Sequence, residues 1–207
     1  MEVLETVSAG LAGTCVDERG RLVEHFLLDY AIRAALVIDL VRLERLHHDR
    51  DAIRVDTDPV GWAPLDDAAR ALTERSPTLD SWILTGSSGQ LVVVDDLVRT
   101  GAWIRRVTPL RRQRRYRTGR PRDRWGRTAE RRLIRPLATA PASERDAAVW
   151  LLARAAGLGD GEYDADTGLE RTGGARWACE LAWQTISRER TKNLDAFGVM
   201  RAGRITG

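Results

Sequence analysis

The sequence predicts a mainly α-helical fold: a helical bundle with a buried central helix and further amphipathic helices, plus a short basic β-hairpin. Residues 27–47 carry the strongest helical pattern, and most of the surface outside its apolar stripe is apolar too. A helix that is apolar nearly all round is typical of a buried central helix. The stripe at helical spacing consists of Ile32, Leu36, Leu40 and Leu43.

The first half of the chain continues with a short strand and two or three helices. Ile53 and Val55 alternate with polar residues, and a turn follows at residues 59–61. Residues 64–74 form an amphipathic pattern that predicts a surface helix. Ser76 is the predicted N-cap of the next helix, with Pro77 at its first position. A further helix is expected from about residue 90 to Gly101.

The second half begins with a strand through Trp103 and Ile104, followed by the basic hairpin with its tip at Thr118 and Gly119. Residues 143–158 predict a helix capped by Ser143. Residues 159–174 are glycine-rich and acidic, which favours a flexible connection, and residues 175–190 predict a last amphipathic helix. We therefore expect one helical domain over residues 1–190 and a loosely ordered tail over residues 191–207.

Catalytic and metal-binding patterns are not found in the sequence. His47 and His48 are adjacent near the end of a predicted helix, where their side chains would point apart. The segment TGSSGQ at 85–90 lacks the spacing of a nucleophile elbow. We expect no enzymatic activity, no cofactor and no metal site. Met1–Leu11 contains Glu2 and Glu5 without a basic region, so we expect a cytoplasmic protein.

The charge is concentrated in one segment, RRQRRYRTGRPRDRWGR at 111–127. Nine of the 33 Lys and Arg residues lie there, with only one of the 30 Asp and Glu residues, so the rest of the chain is net acidic. Arginine binds phosphate through two parallel hydrogen bonds, and aromatic residues suit either a lipid headgroup layer or stacked bases. The candidate residues for an anionic surface are Arg111, Arg112, Arg114, Arg115, Arg117, Tyr116 and Trp125.

Two further interpretations of this segment stay open. It could be a solvated charge run, or it could pair with the acidic surface of a second copy and build a homo-oligomer. Most of the seven tryptophans are expected in the core. Trp62, which follows a glycine in a turn, and Trp125 are the candidates for a membrane-facing position.

Four segments, in this order and spacing, resemble the Golgi phosphoprotein 3 family in its shorter bacterial form. They are DERGRLVEHFLLDYAIRAALVIDLVRLERL (17–46), VDTDPVGWAPLDDAARALTE (55–74), DDLVRTGAWIRR (95–106) and AAVWLLARAAGL (147–158). The resemblance covers roughly residues 3–158. It implies a hydrophobic central bundle ringed by amphipathic helices, with a short β-hairpin. Eukaryotic members are peripheral membrane proteins that bind phosphatidylinositol 4-phosphate in a basic pocket and help to retain glycosyltransferases through their cytosolic tails.

The resemblance places Arg33 where the family has a headgroup-contacting arginine on the central helix. The family's pocket tryptophan corresponds to Glu24 here, and two further pocket arginines correspond to Ser87 and Gln90. Arg33 also has a structural explanation, because Asp29 lies four residues earlier and could form an ion pair with it. The two roles can coexist.

Our first hypothesis is a non-enzymatic peripheral protein on the cytosolic face of a membrane. It would bind one anionic headgroup at Arg33 and the surrounding leaflet through the basic hairpin, with membrane enzymes or their tails as partners by resemblance. The second hypothesis is a winged-helix-like nucleic-acid binder that uses the hairpin over residues 105–127. We place nucleic acid second because Asp95 and Asp96 on the adjacent helix would repel phosphate. A scaffold that only oligomerises is the third.

Overall fold

The computed structural model describes residues 3–16, 20–23, 26–49, 52–75, 78–108, 113–118, 143–158 and 164–202. Within these residues the fold is mainly α-helical with a short β-hairpin, as predicted, and it has a second small antiparallel hairpin that was not predicted. The described part of the chain contains eight α-helices: α1 Val7–Thr14, α2 Phe26–Arg42, α3 Ala63–Arg75, α4 Leu79–Thr85, α5 Gln90–Arg99, α6 Glu144–Ala155, α7 Ala165–Glu170 and α8 Arg176–Ala202. The same ranges contain four strands: β1 Leu46–Asp49, β2 Ala52–Val55, β3 Trp103–Thr108 and β4 Gln113–Thr118.

Helix α2 is the buried central helix. Twelve of its 17 residues are buried, and it packs against α1, α3, α4, α5, α6 and α8. One hydrophobic cluster runs from Val7 in α1 to Ile186 in α8, so the helices share a single core. Helix α6 is also buried along nearly its whole length and packs against α1, α2 and α8.

Asp39 is a buried carboxylate that joins α2 to the start of α1. It accepts hydrogen bonds from the main-chain N–H groups of Val7 and Ser8, at 2.7 and 2.9 Å, and from the Ser8 hydroxyl at 2.6 Å. The first N–H groups of a helix have no partner within the helix, so a carboxylate there stabilises the terminus. Burial raises the pKa of Asp39, while the hydrogen bonds from Ser8 and Val7 act in the opposite direction.

The central helix is shorter than predicted. It ends at Arg42, and residues 46–49 form strand β1, which pairs with β2. The turn between α2 and β1 contains two main-chain hydrogen bonds, from Arg45 N–H to Leu40 C=O and from Glu44 N–H to Val41 C=O. Glu44 in this turn has φ +56°. This is a helix C-terminus in which the left-handed position, usually glycine, is a glutamate. His47 and His48 therefore lie on a strand, and their predicted place at a helix end is wrong.

The basic hairpin exists, but its predicted tip is wrong. Trp103 pairs with Thr118 and Thr108 pairs with Gln113, so the connection runs through residues 109–112. Thr118 lies instead at the open end of the hairpin, and Gly119 lies outside the described residues. Gly101, with φ +76°, ends the turn after α5 as predicted and directs the chain into β3.

Three other boundaries differ from the sequence prediction. The N-cap of α4 is Thr78 rather than Ser76, since the helix begins at Leu79. Part of the expected flexible connection is ordered as α7, whose N-cap Asp164 accepts a hydrogen bond from Asp166 N–H. Helix α8 continues to Ala202, through much of the expected tail. The Ser143 cap of α6 is confirmed by its hydrogen bond from Asp146 N–H.

Candidate functional site

A cavity of about 550 Å³ opens between the start of α2 and the start of α5. It contains three of the positions that the resemblance assigned to the headgroup pocket: Arg33, Ser87 and Gln90. Arg33 and Ser87 are 54 residues apart in the chain and meet only because α4 and α5 both pack on α2. The remaining lining residues are Phe26, Asp29, Gly89, Leu91 and Val92. The fourth predicted position, Glu24, lies outside the described residues.

Arg33 is only 6% exposed, and most of its hydrogen bonds within the protein are directed at the end of α4. Its Nε donates to the Ile83 carbonyl at 2.5 Å and its Nη2 to the Leu84 carbonyl at 3.0 Å. Its Nη1 donates to the Ser88 carbonyl at 3.1 Å. The last carbonyls of a helix lack partners within the helix, so Arg33 satisfies acceptors that would otherwise be orphaned. A guanidinium has five N–H donors, which leaves two for a ligand.

Asp29 does not form the predicted direct ion pair with Arg33 among the described side chains. Its Oδ1 accepts instead from the Gln90 main-chain N–H at 2.7 Å and so caps α5 from a neighbouring helix. Gly89 permits this approach, because a Cβ at that position would lie 2.5 Å from Asp29 Oδ1. Burial lowers the pKa of Arg33, and the charge of Asp29 partly counteracts that effect.

Gln90 contributes an unsatisfied polar group to the site. Its side chain is 4% exposed, and its Nε2 is buried without a hydrogen-bond partner among the described residues. A buried amide without a partner is costly unless something binds to it. Ser87, by contrast, is exposed at the mouth of the cavity.

The rim of the cavity is apolar and exposed, a feature that the sequence analysis missed. Phe26, Leu91 and Val92 are 38%, 50% and 42% exposed. The only available signal was the pattern of α5, in which Leu91 and Val92 precede its buried stripe at Val93, Val94 and Leu97. Phe26 packs edge-on against Tyr30, and the Arg33 guanidinium lies 5.2 Å from the centre of the Tyr30 ring.

Two aromatic residues that we predicted at a membrane interface are buried instead. Tyr116 in β4 is 2% exposed and packs near Trp103, because the hairpin folds back on the helical core. Trp62 is 1% exposed and donates a hydrogen bond from Nε1 to Asp96 at 2.7 Å. Their predicted membrane-facing roles are therefore wrong.

The predicted arginines of the hairpin are only partly described. The main chains of Arg114, Arg115 and Arg117 lie in β4, at positions paired with Val107, Arg106 and Ile104 of β3. Arg111, Arg112 and Trp125 lie outside the described residues. On the β3 side, Arg105 forms an ion pair with Asp95 of α5 at 3.3 Å.

A second cavity, of about 500 Å³, lies at the opposite end of α2. It includes Arg42, Glu144 and the stacked pair His48 and Trp177, whose ring centres are 5.1 Å apart. Within the described ranges, no three His, Cys, Asp or Glu residues are grouped so that they could hold a metal ion. None of the described helices is both long and apolar enough to cross a membrane.

Comparison with known proteins agrees with the fold. No curated protein matches the chain. A family model described as Golgi phosphoprotein 3 (GPP34) matches residues 14–183, which include both cavities. Because this match spans most of the 207 residues, the chain belongs to the Golgi phosphoprotein 3 family.

Proposed function

We propose that this protein is a non-enzymatic peripheral membrane protein that binds anionic phospholipid on the cytosolic face of a membrane. The cavity between α2 and α5 would take one headgroup, and the basic hairpin would hold the surrounding leaflet. By family resemblance, phosphatidylinositol 4-phosphate is the first headgroup to test, and the cytosolic parts of membrane enzymes are the first protein partners. A homo-oligomer through the hairpin is compatible with this role.

The observation that carries the proposal is a polar cavity surrounded by exposed apolar side chains. Arg33 and Gln90 retain hydrogen-bond donors without protein partners among the described residues. Leu91 and Val92 stand at the mouth, at least two-fifths exposed. Donors at the base suit a phosphate, and apolar side chains at the mouth suit the boundary between headgroups and acyl chains. A site for a water-soluble ligand has no need of such a rim.

The hairpin supplies the second, less specific part of the attraction. Arg106 is exposed on β3 and is paired in register with Arg115. A basic residue near an anionic leaflet contributes about 1 kcal/mol, and this contribution falls with added salt. The arginines of residues 111–127 would therefore strengthen binding to any anionic membrane without selecting a headgroup.

The test is co-sedimentation with neutral vesicles and with vesicles that contain phosphatidylserine, phosphatidylglycerol or phosphatidylinositol 4-phosphate. The variant Leu91→Ser with Val92→Ser removes apolar surface from the rim without changing charge. We expect it to weaken binding by about tenfold or more, since each side chain loses part of its transfer free energy. The control is Ile53→Ser with Leu194→Ser, which removes exposed apolar groups elsewhere and should bind normally.

A second variant, in which Arg111, Arg112, Arg114 and Arg115 become alanine, separates the hairpin from the cavity. It should bind less at low salt and show a shallower dependence on salt. Short duplex DNA is added as a competitor. Retention of DNA with a steep salt dependence, together with no binding to any vesicle, would overturn the lipid proposal in favour of nucleic acid.

A further inference from the structure

The cavity at Arg33 contains a fixed negative charge that a site for a highly charged phosphate should lack. Among the described residues, its lining includes one cation, Arg33, and one anion, Asp29, and the other six are uncharged. The two charged residues are four apart on α2, which brings their Cβ atoms to within about 6 Å. Both side chains line the same cavity, so a phosphate bound to Arg33 shares that cavity with a carboxylate.

The N-terminus of α5 adds little positive potential to offset the negative charge of Asp29 at the cavity. The first N–H groups of a helix attract anions, and Gly89 at the N-cap has no side chain to occupy them. Asp29 has already taken this position, because its Oδ1 accepts from the Gln90 N–H at 2.7 Å. A Cβ at position 89 would lie 2.5 Å from that oxygen, so a larger residue there would displace the carboxylate. The N-terminus of α5, which carries the positive end of the helix dipole, therefore already binds a carboxylate of the protein itself.

The cavity has both hydrogen-bond donors and a hydrogen-bond acceptor without partners among the described residues. Two N–H donors of Arg33 and the buried Nε2 of Gln90 can donate to phosphate oxygens. The second oxygen of Asp29, Oδ2, has no partner among the described residues and can only accept while the carboxylate is ionised. A ligand that has phosphate oxygens and also donates a hydrogen bond would match both the donors and the acceptor of the cavity.

From this geometry we infer that the cavity selects a headgroup with a phosphodiester and free hydroxyl groups but no phosphomonoester, as in phosphatidylglycerol or phosphatidylinositol. Headgroups that carry a phosphomonoester, alone as in phosphatidic acid or added to the ring as in phosphatidylinositol 4-phosphate, are disfavoured. The inference rests on the proposed lipid-binding function and narrows it. A phosphodiester carries one negative charge, which Arg33 balances, and its hydroxyl donates to Asp29. A phosphomonoester carries about −1.5 to −2 at neutral pH, so its extra charge is repelled by Asp29. Asp29 is then the residue that determines specificity.

The test compares wild-type protein with Asp29→Asn, using vesicles with equal molar fractions of phosphatidylglycerol, phosphatidylinositol, phosphatidic acid or phosphatidylinositol 4-phosphate. Asparagine keeps an oxygen for the Gln90 N–H and removes the charge. We expect wild type to prefer the two plain phosphodiesters. We expect Asp29→Asn to shift the ratio of affinities roughly tenfold toward the lipids with a phosphomonoester, because the variant removes the repulsion between the Asp29 carboxylate and the additional phosphate charge. Asp67→Asn on α3 removes the same charge from an exposed position and should leave the ratio unchanged.

Soluble competitors identify the recognised chemistry. Glycerophosphoinositol should displace the wild-type protein from phosphatidylinositol vesicles more effectively than inositol 4-phosphate does. A wild-type preference for phosphomonoesters, or an affinity ratio unchanged in Asp29→Asn, would overturn the inference while leaving lipid binding intact. If wild type bound none of the vesicles, the proposed function itself would fail, and this inference with it.

Discussion

Replacing Arg33 by alanine should destabilise the protein substantially, whatever the cavity binds. The side chain is 6% exposed and donates to the carbonyls of Ile83, Leu84 and Ser88. A buried carbonyl oxygen left without a hydrogen-bond donor lowers the free energy of unfolding by about 1 kcal/mol or more, so three such carbonyls lower it by about 3 kcal/mol. Removing a buried charge recovers some desolvation free energy, as the lowered pKa of Arg33 indicates, while water entering the opened cavity limits the loss.

We therefore expect the free energy of unfolding of Arg33→Ala to fall by about 2–3 kcal/mol, measured by urea denaturation. The corresponding decrease in Tm is roughly 4–12 °C for a chain of this size. Arg33→Lys retains the charge but reaches fewer carbonyls, so its loss should be about half as large. The matched control is Arg70→Ala, in an exposed ion pair with Asp67, which should stay within about 0.5 kcal/mol of wild type.

The reasoning would be refuted if Arg33→Ala and Arg70→Ala had the same stability. Arg33 would then be free for a ligand, and the hydrogen bonds to α4 would contribute nothing. The result also matters for binding studies, because a loss of lipid binding in Arg33→Ala is interpretable only if the variant is folded under the assay conditions. Vesicle assays of this variant should be accompanied by its unfolding curve.

Three further predictions concern other parts of the structure. In urea denaturation, the free energy of unfolding of Gly89→Ala should fall by about 1–2 kcal/mol, because the new Cβ meets the Asp29 carboxylate. Gly174→Ala places its Cβ in open space and should be nearly neutral, so equal decreases in the two variants would contradict the close approach. The free energy of unfolding of Asp39→Ala should fall by about 3 kcal/mol, seen as a large decrease in Tm. The substitution orphans the N–H groups of Val7 and Ser8 and leaves the Ser8 hydroxyl only the longer contact to Thr6 Oγ1; a decrease below about 1 kcal/mol would show that this cap is dispensable. Burial raises the pKa of Cys179 to about 12, so roughly one thiol in 10⁴ is ionised at pH 8. A thiol reagent should therefore label Cys179 only in urea, and rapid labelling of the native protein would show that this region opens.

Local patterns were sufficient for most of the described helices and for the existence of the basic hairpin, but not for α1 or α7. The apolar run of α2 identifies a buried helix because no other arrangement removes so many apolar groups from water. Its end at Arg42 was missed because a glutamate, Glu44, takes the left-handed position where a glycine would have been the signal. The hairpin tip was misplaced because Thr118 and Gly119 resemble a turn, whereas strand register is decided by burying Trp103 and Tyr116.

The site was predictable only in part. Resemblance located Arg33, Ser87 and Gln90, and the structure brings these three residues to one cavity. We expected the Asp29–Arg33 ion pair because the two residues are four apart in sequence. Such a spacing predicts only contacts within one helix. The observed partners of Arg33 are more than 50 residues away on average, beyond the reach of any helical period.

By itself, the sequence determined the class of fold, the buried central helix, the concentration of arginine in one segment and the family. The first three depend on composition and on periodicities along the chain, which local sterics and burial convert directly into helices and strands. The family was indicated by the resemblance of four ordered segments. Only the tertiary structure decided what Arg33 and Asp29 bind, that Gln90 is left with an unsatisfied donor, and that Leu91 and Val92 surround the cavity with exposed apolar surface. The reason is physical: hydrogen-bond partners and exposure are properties of packed helices, and the docking of α4 and α5 on α2 sets them.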